Sequence, residues 1–413
     1  MSRLKLLGQF ARSQVRNAIN LTFGRPINYP PLGSMTLDRD DVDLAVQWLQ
    51  RREEWYKSEP VREFEEAFAS WNGSRYAYAF MSGREALSAI LDSFELTPGD
   101  EVLVPGYTCV VVPNAIKFAG LVPIFYDIEL ETYGPDLTSI KAGLGARTRV
   151  IVIHHLFGLV CRDYEAIIAL ARRNGIRVIE DCAHATGASY QGVKVGNLGD
   201  AAFYSTEQSK VLSTNQGGIA TTNCQELGRR LEAYQRSTPY PNTDHIQRQL
   251  KHLIINYYAN KHPKRWLMGD LARLKHGGEP LISTSEGEIR GLKPEHYGRK
   301  MPAAIAAIGL NQLKKLDAFN TQRRHTAERW QQWCNEKGIS TPRVVEGSIP
   351  VFLRYPVMVE PHMKRDLSWA IKELGVLPGV WFTSHLHPAE DDIPNCPNAA
   401  KAAAGCINLP CLL

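Results

Sequence analysis

The sequence predicts an α/β fold around a mostly parallel sheet, and three features carry that prediction. Short β-branched, apolar runs alternate with amphipathic stretches of helical length. One of them, RVIVIHHLFG, is apolar without a break from Val150 to Ile153, as a parallel strand covered on both faces requires. Turn signals such as Pro98-Gly99-Asp100 and Gly175 fall between the runs.

The elements follow in order. VREFEEAFASW, residues 61–71, has the spacing of an amphipathic helix. SGREALSAILDSF from Ser82 is a turn that opens a second helix. EVLVPGY reads as a strand, VVPNAIKFAG as a helix and VPIFYDI as the next strand. After RVIVIHHLFG comes the helix YEAIIALARRNG, closed by Gly175, and then the strand IRVIEDCA. DAAFYST and GGIATTN are two further short strands. From Met301 a long helical pattern runs to Cys334 and leads into a strand–helix region that ends at Leu413. Right-handed crossovers put helices on both faces of such a sheet, and ligands gather beyond the carboxyl ends of its strands. Ser82, Asp181, His184, Ser205 and Lys210 all fall there.

The 413 residues fit two or three domains at about 150 residues each. The pattern divides them into a basic amphipathic helix (1–28), a large domain (29–235), a basic helical insertion (236–295) and a small C-terminal domain (296–413). With 44% apolar and 22% charged residues, the chain has the makings of a soluble protein with a large core. No stretch approaches the roughly 18 apolar residues of a membrane-spanning helix. A net charge of +5 is too mild at this length to argue for nucleic acid. Eight cysteines without a CxxC pair argue against a zinc site and for reduced thiols in a cytoplasmic protein.

Two basic regions stand apart. No acidic residue precedes Asp38, while Leu4, Leu7, Ala11, Val15 and Ala18 form a helical stripe among arginines and lysines. Between Ile246 and His276 seven Lys or Arg residues face one acid, Asp270. Residues 1–24 and 246–276 suit either peripheral contact with an anionic membrane surface or packing at a dimer interface or over the active site, and the Arg-rich, acid-poor N-terminal helix also suits an organellar transit sequence.

The chemistry concentrates in a few residues. Ser82-Gly83-Arg84 opens a helix, where backbone N–H groups and the helix dipole can hold a phosphate. Asp181 ends an apolar strand, where a carboxylate serves either as a helix cap or as the partner that keeps a ring nitrogen protonated. His184, three residues on, could touch the same ring. Ser205 and Lys210 lie in FYSTEQSKVLST, after another strand. A lysine in a desolvated pocket has a lowered pKa and acts first as nucleophile and then as base.

The order and spacing of these segments resemble the DegT/DnrJ/EryC1/StrS family, the aminotransferases of nucleotide-sugar metabolism that depend on pyridoxal 5'-phosphate (PLP). The segments similar to the family's are VREFEEAFASWNG, SGREAL, PGDEVLVPGYTCVVVPNAI, HHLFG, VIEDCAHATGASYQGVKVGNLGDAAFYS and SKVLSTNQGGIATTN. They cover most of residues 29–413 outside 224–295. The resemblance implies a type I PLP-transferase fold: a seven-stranded, mixed but mostly parallel sheet with a smaller C-terminal α/β domain, in a homodimer that shares its active sites. It implies that Lys210 holds PLP as a Schiff base, that Asp181 pairs with the pyridine nitrogen, and that His184 replaces the commoner Gln beside the ring oxygen. Ser82, Gly83, Arg84 and Ser205 are the expected phosphate ligands, with Arg84 where the family has Thr. Cys109 stands in place of the aromatic residue usually stacked on the ring, and Tyr107 is the nearest aromatic to replace it. Gly298 stands where the family sends an Asn to the neighbouring subunit.

The implied reaction moves an amino group from an amino acid, by analogy glutamate, to a keto-sugar, nucleotide-linked, in surface-polysaccharide or amino-sugar biosynthesis. Two alternatives accompany it. One is a sugar dehydratase of the same family, in which histidine replaces the lysine. The other is a catalytically silent scaffold or regulator.

Overall fold

The computed structural model describes residues 11, 12, 14, 15, 19, 22 and 36–413, except 263, 278–282 and 296. The expected N-terminal helix of residues 1–28, and with it the 1–24 part of the expected membrane surface, therefore falls largely outside the described residues.

Seven strands form the central sheet: β1 (Tyr76–Phe80), β2 (Glu101–Pro105), β3 (Val122–Tyr126), β4 (Thr148–His154), β5 (Arg177–Asp181), β6 (Ala201–Ser205) and β7 (Gly218–Thr222). Their spatial order is β1-β7-β6-β5-β4-β2-β3. Only β7 runs antiparallel to its neighbours; the other pairings are parallel. Six of the seven are the apolar runs read from sequence. The seventh, β1, is the YAYAF segment, in which small and aromatic residues alternate.

Strand alternation sorts the side chains onto the two faces. Ile151 and Ile153 of β4 enter one apolar core, with Phe64, Phe68, Ile167 and Ile308 from the helices on that side. Val150 and Val152 enter the other, with Leu87 and Ile90 of the Gly83–Ser93 helix and Leu227 and Leu231 of the Gln225–Ser237 helix. All four β4 residues are fully buried, which explains the unbroken apolar run.

The long pattern from Met301 is two helices, Ala303–Leu313 and Leu316–Lys337. At the break the chain is tied to another element. Lys315 reaches Asp40 Oδ1 at 2.8 Å and Asp41 Oδ2 at 2.7 Å on the Arg39–Gln50 helix. The first of the two helices packs on the large core, and its Gly309 lies against the Phe64 ring. The second leads to a third apolar core, where Trp330 and Cys334 meet the antiparallel strand pair Arg354–Met358 and Cys406–Pro410.

The basic region contains the helices Thr243–Asn256 and Arg265–His276, joined through a π-helical turn at Tyr257–Lys261. Ile246, Leu250, Leu253 and Ile254 are buried in the large core. The apolar face of the first helix is thus used for packing on the body. No helix among the described residues is long and apolar enough to cross a membrane.

The antiparallel strand β7 sits hard against the start of the Gly83–Ser93 helix. A Cβ on Gly218 would run into the backbone of Ser82 and Gly83. Gly218→Ala is expected to cost roughly 1–3 kcal/mol, as overpacked core sites do. A thermal denaturation midpoint equal to wild type would contradict this packing.

Candidate active site

The carboxyl ends of β4, β5 and β6 open onto a cavity of about 660 Å³. Of the sequence candidates, Ser82, Gly83, Arg84, Cys109, Asp181, His184, Ser205 and Lys210 line it. Tyr107 does not. It is fully buried behind Phe382, whose N–H donates to the Tyr107 hydroxyl at 3.3 Å.

β5 ends in two adjacent carboxylates with opposite surroundings. Glu180 points into the core, where it accepts hydrogen bonds from His155 Nε2 (3.1 Å), the Tyr164 hydroxyl and the N–H groups of Gly196 (2.6 Å), Leu198 (2.9 Å) and Gly199 (2.7 Å). Burial pushes its pKa up, but His155 and these other donors outweigh it and hold Glu180 below the usual carboxylate range. Asp181, which lines the cavity, accepts one hydrogen bond, from the Ala183 N–H at 2.9 Å. Burial pushes its carboxyl up to about 6, against the pull of that N–H and of Lys210.

Lys210 reaches the same space from the loop after β6. Its Nζ lies 2.9 Å from His184 Nε2. The Phe157 N–H donates to His184 Nδ1 at 3.3 Å, so Nδ1 is the acceptor and Nε2 carries the ring proton. Nε2–H therefore faces the Lys210 amine. Burial lowers the Lys210 pKa, opposed by Glu207, and burial together with the Lys210 charge takes His184 well below its ordinary value. Each shift favours the neutral pair.

Ser82, Gly83 and Arg84, expected to hold a phosphate, lie at the start of the Gly83–Ser93 helix. Ser82 caps the Gly83–Ser93 helix by accepting from the Glu85 N–H at 3.3 Å. A side chain at Gly83 would be tight, since a Cβ would sit 3.1 Å from that of Ser205. The Arg84 guanidinium is directed elsewhere: it donates to Glu288 Oε1 at 2.5 Å and to the Ser283 carbonyl at 2.7 Å.

The aromatic wall comes from the C-terminal region, where sequence reading did not look. Trp381 and Phe382 lie nearly parallel to His184, at 6.2 and 6.3 Å. They are carried to the cavity by the parallel pairing of Leu386–His387 with Thr108–Cys109. The WF pair followed by two histidines in a loop was the available signal. The opposite wall includes Tyr240, Asn242 and His245 from the basic insertion, with His245 Nε2 3.1 Å from Gln216 Oε1.

Residues 37–260 and 279–413 match the DegT/DnrJ/EryC1/StrS aminotransferase family. The chain belongs to that family. It is 29% identical over 356 residues to the GDP-perosamine synthase of Caulobacter vibrioides, covering 85% of this chain and 83% of that one. It is 34% identical over 313 residues to the dTDP-3-amino-3,6-dideoxy-alpha-D-galactopyranose transaminase of Aneurinibacillus thermoaerophilus, covering 75% and 78%. Its fold matches the X-ray structure of the aminotransferase from Psychrobacter cryohalolentis with a TM-score of 0.70 at 24% identity, over 94% of each chain.

This DegT-family aminotransferase is a PLP enzyme, and its cavity fits the cofactor. A buried amine, a carboxylate with one hydrogen bond and the start of a helix closed to side chains meet in one space. Asp181 provides a stability test. Its raised pKa means that the protonated form is the stabilised one. That contribution is complete below about pH 4 and is lost as pH rises through about 6. In the cofactor-free protein, Asp181→Asn, neutral throughout, is expected to match wild type near pH 4. Above pH 6 it should exceed wild type, by at most roughly 3 kcal/mol. Denaturation midpoints that differ by the same amount at both ends of this range would refute the assignment.

Proposed function

We propose that the enzyme transfers the amino group of an amino acid, glutamate or a close analogue, to the carbonyl of a nucleotide-linked keto-sugar, making an amino-sugar unit for a surface polysaccharide or related glycan. The observation that carries this reading is the 2.9 Å approach of Lys210 Nζ to His184 Nε2 in the cavity that Asp181 also lines. The sugar relatives at 29% and 34% identity support the acceptor class.

Bound PLP supplies an electron sink for the bond being broken at the amine-bearing carbon. Asp181 is assigned to the pyridine nitrogen, where a cationic ring offsets the cost of burying the carboxylate. Lys210 is assigned the proton transfers at that carbon, for which an uncharged amine is required. His184 holds the amine in place through Nε2–H and packs between the aromatic wall and the ring site. Ser82, Gly83 and Ser205 are assigned to the phosphate, with Arg84 beside it and tied to Glu288. Cys109 occupies the wall position of the family's aromatic side chain.

Two further elements belong to this proposal. Assembly as a homodimer with shared active sites is supported by the family resemblance. Contact of the Arg265–His276 helix with an anionic membrane surface is supported by Lys275 one turn from Leu271, which is 41% exposed.

Lys210→Ala is expected to lose at least about a thousandfold in transamination, within the range for a base that is also a nucleophile. The purified variant should lack the visible absorbance of lysine-bound PLP while keeping its fold by circular dichroism. A variant that retains that absorbance would remove Lys210 from this role.

A further inference from the structure

Arg354 is a buried cation with no salt bridge among the described residues; Glu207, on the cavity lining, is the carboxylate whose charge it feels. The arginine lies on the strand Arg354–Met358, is 2% exposed, and its Nε and Nη1 make no hydrogen bond among the described residues. Arg323, equally buried, shows the usual arrangement: it donates to Asn320 Oδ1 at 2.9 Å and to the Val211 carbonyl at 3.2 Å. A guanidinium taken out of water needs such partners, because its desolvation is otherwise uncompensated.

What Arg354 has instead is Trp381. Its Cζ lies 3.7 Å from the ring centroid, in a cation–π contact. Trp381 lines the cavity and Arg354 does not, so the indole covers the guanidinium on the cavity side. Lys210 Nζ lies 5.1 Å from the same ring centroid. The amine that handles the amino donor and the unpaired guanidinium therefore flank one aromatic side chain.

We propose that Arg354 binds the carboxylate of the amino donor, and that Trp381 is the cover that moves aside for it. The inference rests on the reading of an amino acid as donor. An α-amino acid carries its carboxylate on the carbon that bears the amine, so a guanidinium close behind the lysine is where that group arrives. The guanidinium fork matches a carboxylate with two parallel hydrogen bonds. The second substrate, a keto-sugar, brings no carboxylate to this spot. For it, a bare cation in the wall would be a cost, and the indole returned over Arg354 removes that cost. One site thus serves an anionic and a neutral reacting group in turn.

The test uses the PLP-loaded enzyme and the variants Arg354→Met and Arg354→Lys. The donor half-reaction is followed in single turnovers with glutamate and with glutamine, through the loss of visible absorbance. Glutarate, a carboxylate without an amine, is titrated separately against tryptophan fluorescence. Arg354→Met is expected to raise the donor concentration for half-maximal rate about 10- to 100-fold, the range for losing a charge-assisted fork. The keto-sugar half-reaction, started from the amine-loaded enzyme, should change less than about twofold. Arg354→Lys, which keeps the charge and loses the fork, should fall between. Glutarate should shift the fluorescence of wild type, and this shift should vanish in Trp381→Phe and weaken in Arg354→Met. Removing an unpaired buried charge is compatible with folding, and an unchanged melting midpoint confirms it. Equal donor and glutarate binding in wild type and both Arg354 variants overturns the assignment while leaving the amino-acid donor intact. Failure of every amino acid to react with wild type overturns the donor reading, and the assignment with it.

Discussion

The site depends on the two carboxylates at the end of β5. Their side chains point to opposite sides because strand residues alternate. Glu180 accepts from the β4 end through His155, from the following helix through Tyr164, and from the N–H groups of Gly196, Leu198 and Gly199 before β6. It is a structural clamp that fixes the last turn of chain around the cavity floor. Asp181 inherits that rigidity but not the donors. With one N–H and no water-exposed surface to speak of, it is held in place and left short of partners. A buried carboxylate in that condition binds a cationic ring nitrogen more strongly than a well-solvated one would, because its own ionisation is what burial opposes.

The phosphate end follows a different logic. It is shaped by exclusion of side chains: Gly83 against Ser205, and Gly218 against the Ser82 backbone. The exposed charge there is then committed. Arg84 closes on the 2% exposed Glu288 and on the Ser283 carbonyl, which ties the 283–289 segment across the cavity edge. The basic insertion is likewise part of the wall. Gln249 donates to the Gln216 carbonyl at 2.7 Å, and Asn256 reaches Asn215 Oδ1 at 2.7 Å, so the Thr243–Asn256 helix holds the loop that follows Lys210. The family match, which omits 261–278, includes this helix and leaves out the next, Arg265–His276.

Much of this was legible in the sequence for a physical reason. Buried parallel strands must be apolar on both faces, and a segment such as VIVI admits few other readings. Lys210, Asp181 and the helix opening at Ser82 follow strands directly, so their position at the carboxyl end is a local property of the chain. Tyr107 also follows a strand, yet it faces away from the cavity into the C-terminal core. Trp381, Phe382 and Arg354 come from the far end of the chain and reach the site only through tertiary packing, which no local period encodes. The Lys315 contacts are of the same kind: the helical pattern runs through the break, and the aspartates that Lys315 meets there lie far away in sequence.

The HHLFG segment shows how the way His184 faces the lysine is set by backbone shape. Phe157 adopts φ +57° and ψ +6°, a left-handed conformation that side chains other than glycine rarely take. It is followed by Gly158 at φ +86°. Two consecutive left-handed residues turn the chain sharply at the end of β4, and the turn presents the Phe157 N–H to His184 Nδ1. That single donor decides the tautomer, because an imidazole that accepts at Nδ1 carries its proton at Nε2. Nε2–H can then only donate to Lys210, and a protonated lysine has no lone pair to receive it. The backbone shape of the β4 loop thus sets, through one N–H, how His184 faces Lys210.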